Sequence, residues 1–100
     1  MNITKSVEGN TATIAVEGKL SVATSPDLEN EVKSLPENVT EFIIDLEGLE
    51  YISSAGLRVL VTTQKLASQR NGSMTLRKPN DEVMEVFDMT GLSEIFTVER

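Results

Sequence analysis

Phe42-Ile43-Ile44-Asp45-Leu46 is a short, nearly continuous apolar run with no polar alternation. Such a run needs cover on both faces, which predicts a central strand of a sheet with helices packed over it. The flanking sequence supplies those helices. Thr24-Ser25-Pro26-Asp27 carries hydroxyl caps, a proline where the missing N–H costs nothing and an acid at the positive helix end. Leu28, Val32 and Leu35 follow at i, i+4 and i+7 as one stripe, and Pro36 stops the helix. A second helix begins at Ser53 or Ser54, runs through Leu57, Leu60 and Val61, and closes at Asn71-Gly72, with glycine in the left-handed conformation. A third follows Pro79-Asn80-Asp81, with Val83, Met84, Val86 and Phe87 inward and Gly91 past its end.

Strands fill the intervals. Positions 2–7 and 11–17 read as a hairpin turning on Glu8-Gly9-Asn10, with Ala12, Ile14 and Val16 on one face and Gly18 ending the second strand. Glu47 to Ile52 reads as a loop or a brief extended piece, Met74 to Arg77 as a strand parallel to the central one, and Ile95 to Val98 as the last strand. The expected fold is α/β: a mixed sheet of about four to five strands with three to four helices, in the order β-β-α-β-α-β-α-β. With 100 residues and 39% hydrophobic content, residues 1–100 are expected to form a single domain around one core.

The chain has neither cysteine nor histidine. That removes disulfides, thiolate and imidazole metal ligands, and Ser-His-Asp or Cys-His catalysis. Asp45, Glu47 and Glu50 lie close in sequence but match no calcium loop, and Gly48 and Gly56 lack the lysine of a phosphate loop. The expectation is a non-enzyme without metal or cofactor. No apolar stretch approaches the roughly 18 residues of a membrane span, and no secretory leader pattern opens the sequence, so it reads as cytoplasmic.

The net charge of −7 argues against nucleic acid and anionic membranes as partners. It is unevenly spread. Residues 1–50 set Lys5, Lys19 and Lys33 against ten acids, whereas positions 51–80 hold Arg58, Lys65, Arg70, Arg77 and Lys78 and no acid.

Tyr51-Ile52-Ser53-Ser54-Ala55-Gly56-Leu57-Arg58 opens that acid-free stretch. Two hydroxyls and small residues stand where an extended segment turns into a helix. Unpaired N–H groups at a helix start favour an anion, hence a phosphate on serine, and Arg58 follows Ser54 by one helical turn. By themselves these residues also suit an ordinary helix cap with a glycine for close packing.

Ile43 through Leu60, containing Asp45-Leu46 and Ser53-Ser54-Ala55-Gly56-Leu57, resembles the signature of bacterial anti-sigma factor antagonists in the STAS domain family. Gly18-Lys19-Leu20-Ser21 is similar to the family's Gly-x-Leu-Asp turn, and Phe87 to Phe96 to its helix-Gly-Leu-strand ending. The resemblance covers the whole chain. It implies a regulator whose unphosphorylated form binds an anti-sigma factor that is itself a serine kinase, freeing a sigma factor for transcription. Phosphorylation of Ser54 by that kinase switches binding off, and a PP2C-type phosphatase restores it. Ser21, Ser53, Ala55, Gly56, Leu57 and Arg58 are the partner-binding residues implied around Ser54. Ser21 and Ser53 stand where members commonly have aspartate, and Ala55 replaces a second hydroxyl. The alternative is a STAS-type scaffold or transporter-associated subunit that binds a non-kinase partner without phosphorylation. An acyl carrier protein, also small and acidic, would require an all-helical bundle, which the central strand opposes.

Overall fold

In the computed structural model, which describes residues 1–100, the order is β1 (Asn2–Glu8), β2 (Thr11–Leu20), α1 (Ser25–Lys33), β3 (Glu41–Asp45), β4 (Leu49–Ile52), α2 (Ser54–Gln69), β5 (Ser73–Arg77), α3 (Asp81–Thr90), a 3₁₀ turn at Leu92–Glu94 and β6 (Thr97–Glu99). The sheet runs β1-β2-β3-β5-β6, with β4 paired to β2. Only β1 and β2 are antiparallel; all other pairs are parallel. The mixed α/β architecture therefore agrees with expectation, with one strand more than the order predicted.

The added strand explains why β2 outruns its predicted end. Gly18 does not terminate it: with φ +98° it sits at a register shift, and the chain continues to Leu20. Before the bulge β2 pairs with β3; after it, Gly18 to Leu20 pair with β4. A bulge re-aims a strand without ending it. The Glu47-Gly48 turn makes room for β4 by close approach, since a Cβ on Gly48 would lie 2.7 Å from Glu17 Cγ.

Ala12, Ile14 and Val16 from β2, Phe42 and Ile44 from β3, and Met74 and Leu76 from β5 are buried on one sheet face and share a single core with residues of all three helices. Cover on both faces is not what β3 receives. Ile43 points to the other face and is only half-buried, its register partners there being Thr13 and Thr75. Those β-branched neighbours shield it laterally, so the apolar run is accommodated without a second layer.

Helix ends also differ in detail from expectation. At α1 no hydroxyl caps the helix: Thr24 Oγ1 donates to the Lys19 carbonyl and accepts the Ser21 N–H, both at 2.8 Å, while the Ser25 hydroxyl donates to the Ser21 carbonyl. The hydroxyls build the β2–α1 turn. At the far end of α2, Asn71 takes the left-handed conformation (φ 59°), and Asn71 N–H and Gly72 N–H return to the carbonyls of Ser68 and Ala67. Gly72 is there for a steric reason, because a Cβ would fall 1.7 Å from the Thr40 carbonyl oxygen. Asn80 caps α3 through Val83 N–H at 2.7 Å, and left-handed Gly91 ends it. The last strand begins at Thr97 rather than Ile95, because Phe96 turns inward to meet Phe87 edge-on at 5.5 Å, leaving Ile95 exposed. No helix is long and apolar enough to cross a membrane.

Candidate functional site

β4 delivers the chain to α2 at the edge of the sheet. Ser53 N–H donates to the Leu20 carbonyl at 2.8 Å, which anchors the helix start to the end of β2 and brings the Ser21 turn beside it. Ser53 is extended (φ −90°, ψ 171°), and its Oγ accepts Gly56 N–H at 3.1 Å. It is also 7% exposed. Ser53 is therefore the cap, and its hydroxyl is enclosed.

Ser54, the first residue of the helix, is exposed. Its side chain makes no hydrogen bond, whereas both neighbouring candidates among the hydroxyls are engaged: Ser53 as cap, and Ser21 by contact with Thr24 at 3.2 Å. The one free, reachable hydroxyl at the helix start is Ser54. Amides of the first helical turn have no intrahelical carbonyl and carry the positive end of the dipole. No acid occupies that turn of α2.

The remaining residues singled out by sequence divide between two jobs. Ala55 and Arg58 line a surface hollow with Val22, Ser25, Pro26, Glu29 and Val59. Gly56 and Leu57 are buried and face the core, so they position the helix and do not present side chains to a partner. A Cβ on Gly56 would come within 2.8 Å of Leu20 Cγ and 2.9 Å of Ile52 Cγ1, so this glycine sets how closely α2 rides on β2 and β4.

The acid-free stretch sorts in the same way. Arg77 pairs with Glu99 at 3.7 Å and Lys78 with Glu47 at 3.4 Å, while Arg70 donates to the carbonyls of Pro36 and Val39 and lies over the Phe42 ring. Arg58 and Lys65 alone within that stretch have neither an acidic partner nor a side-chain hydrogen bond. Asp45 and Glu47 have structural uses as well, Asp45 Oδ1 accepting the Glu47 N–H at 3.0 Å. One surface residue escaped sequence reasoning. Val22, 71% exposed, lies beside the helix start with Ala55 and Arg58; its signal was an apolar residue inside an otherwise polar turn. Tyr51, which opens the segment singled out by sequence, is 51% exposed.

Residues 2–100 match the family model of the STAS domain. The chain is 32% identical over 100 residues to the anti-sigma-B factor antagonist of Bacillus subtilis (strain 168), an alignment covering 98% of this chain and 92% of that protein. Its fold matches that of the anti-sigma factor antagonist SpoIIAA in its unphosphorylated form, with a TM-score of 0.83, 19% identity, and coverage of 99% of this chain and 89% of that one. The Bacillus cell fate determinant SpoIIAA in the phosphorylated form gives 0.78 and 19%, covering 99% and 92%. The family match spans nearly the whole sequence, and the topology and the helix-start signature agree with it: the chain belongs to the STAS domain family.

Proposed function

We propose that the protein is an anti-sigma factor antagonist, a binding module without catalytic activity of its own, switched by phosphorylation of Ser54. The unphosphorylated protein binds an anti-sigma factor that is also a serine kinase and so releases a sigma factor. The kinase then modifies Ser54, and a PP2C-type phosphatase removes the phosphate. The observation that carries this reading is the division of labour between adjacent serines, with Ser53 enclosed as the helix cap and Ser54 exposed and unengaged. The name of the Bacillus subtilis relative and the existence of SpoIIAA in two phosphorylation states support it.

Electrostatics supply the switch. A phosphate adds about 1.5 to 2 negative charges, placed here at the centre of a contact made by the start of α2. Enclosing a dianion at an interface costs several kcal/mol, and Arg58, one helical turn on, offsets part of that only by turning from the partner to the phosphate. Release follows.

The test uses anti-sigma factor kinases from the same genome, produced one by one and incubated with the protein and ATP. Mass spectrometry is expected to place one phosphate on Ser54, and Ser54→Asp to weaken the complex by about a hundredfold, roughly 3 kcal/mol. Phosphate on Ser53 alone would overturn the assignment, and a Ser54→Asp protein binding at full strength would overturn the switch. A stable non-kinase partner with no phosphorylation would support the scaffold reading.

A further inference from the structure

A groove runs between α1 and α2, away from the Ser54 hydroxyl. Two hollows, of about 190 Å³ near the helix starts and about 230 Å³ farther along, lie next to each other in this groove, with Glu29 and Val59 lining both. Its floor is apolar: Val59 and Leu66 of α2, seven residues apart on one helical face, with Val32 opposite on α1. Its α2 rim carries Arg58 and Lys65 at the same seven-residue spacing. On the α1 rim the single acid, Glu29, is already approached by Lys33 at 3.6 Å.

The charge here is opposite to that of the molecule. In a chain with a net charge of −7, Arg58 and Lys65 are exposed and without acidic partners along one edge of an apolar channel. From Arg58 to Gln69 the rim extends about 16 Å, three turns of an α-helix. We infer that this groove docks an acidic amphipathic helix of a protein partner. The helix lays apolar residues at i, i+3 and i+7 onto Val32, Val59 and Leu66, with carboxylates reaching Arg58 and Lys65. Exposed Val22 at the head of the channel extends the apolar contact.

The groove ends beside the switch. Arg58 is one turn beyond Ser54, so a phosphate on Ser54 competes with the docked helix for the Arg58 guanidinium. This coupling rests on the Ser54 reading; the groove itself does not.

The probe is a synthetic helical peptide of about 14 residues, long enough to cover the rim, with leucines at i, i+3, i+7 and i+10 and glutamates elsewhere. It is titrated into ¹⁵N-labelled protein and followed by amide shifts. Saturable shifts are expected at Val32, Val59, Thr62 and Leu66, with binding about tenfold weaker for Lys65→Glu and for Thr62→Trp, which fills the channel from an exposed position. A peptide with lysine in place of glutamate is expected not to bind. Absence of saturable shifts, shifts confined to other surfaces, or equal binding of the lysine peptide would overturn the groove. Unchanged binding to Ser54→Asp would overturn the coupling alone, and failure of Ser54 phosphorylation with the peptide still bound would overturn the switch while leaving the groove standing.

Discussion

Ser53 and Ser54 are chemically identical and adjacent, yet the fold gives them opposite fates. The extended backbone of Ser53 turns its hydroxyl back onto Gly56 N–H, while Ser54, one step into the helix, points to solvent. The two alanine variants therefore separate. Ser53→Ala loses a cap worth about 0.5–2 kcal/mol, and calorimetry is expected to show Tm lower by roughly 4–8 °C for each kcal/mol, with phosphate still accepted at Ser54. Ser54→Ala is expected to melt with the wild type and to take up no phosphate. A reversal of the two melting curves would refute the cap assignment. The sequence left the choice of cap open between these serines, because capping depends on one residue's φ and ψ, which the pairing of Ser53 N–H with the Leu20 carbonyl imposes from a strand more than thirty positions earlier. Ser21 is a related case. Its hydroxyl is occupied with Thr24 and contributes neutral hydrogen bonds to the turn beside the helix start.

At the scale of elements, the position of α2 matters most, and Gly56 sets it. Any side chain there meets Leu20 and Ile52, both buried, so Gly56→Val is expected to lower stability by about 1–3 kcal/mol through overpacking. Chemical denaturation would show this as a lower midpoint at unchanged slope. A midpoint equal to that of the wild type would mean that α2 rides higher than described. The helices themselves were legible from spacing: Leu28 and Val32, then Leu57 and Leu60, then Val83 and Phe87 are buried as the periodicity required. β4 was not. Its four residues have only Leu49 and Ile52 buried, with Glu50 and Tyr51 exposed between them, a pattern that fits neither alternation nor a continuous run. It is a strand because β2 bends at Gly18 and offers it an edge.

For the molecule as a whole, the sheet has one wrapped face and one open face, and its stability should be graded from centre to edge. β3 is bonded on both sides, by β2 and β5, and carries Phe42 and Ile44 into the core. β6 has three residues and one neighbour. Native-state hydrogen exchange is expected to be slowest at Ile14, Phe42, Ile44 and Leu76 and fastest among strand amides in β6, because edge pairs open without exposing the core. Equal protection of β6 and β3 would contradict this topology. The charge distribution belongs at this scale too. Five cations crowd the acid-free stretch in sequence, but folding pairs or packs Arg70, Arg77 and Lys78 and leaves Arg58 and Lys65 unpaired along the groove between α1 and α2.

Sequence alone determined the α/β class, the place of each helix and the segment proposed as the site. Those properties follow from local periodicity and from residue chemistry within a few positions of one another. Only the tertiary structure decided which serine is free, why Gly72 and Gly56 must lack side chains, that Ile43 needs no second layer and which cations remain unpaired. Each of these depends on groups brought together from distant positions: Leu20 against Ser53 and Gly56, the Thr40 carbonyl against Gly72, Glu99 and Glu47 against Arg77 and Lys78. Burial and partnership are properties of those juxtapositions, and no window along the chain contains them.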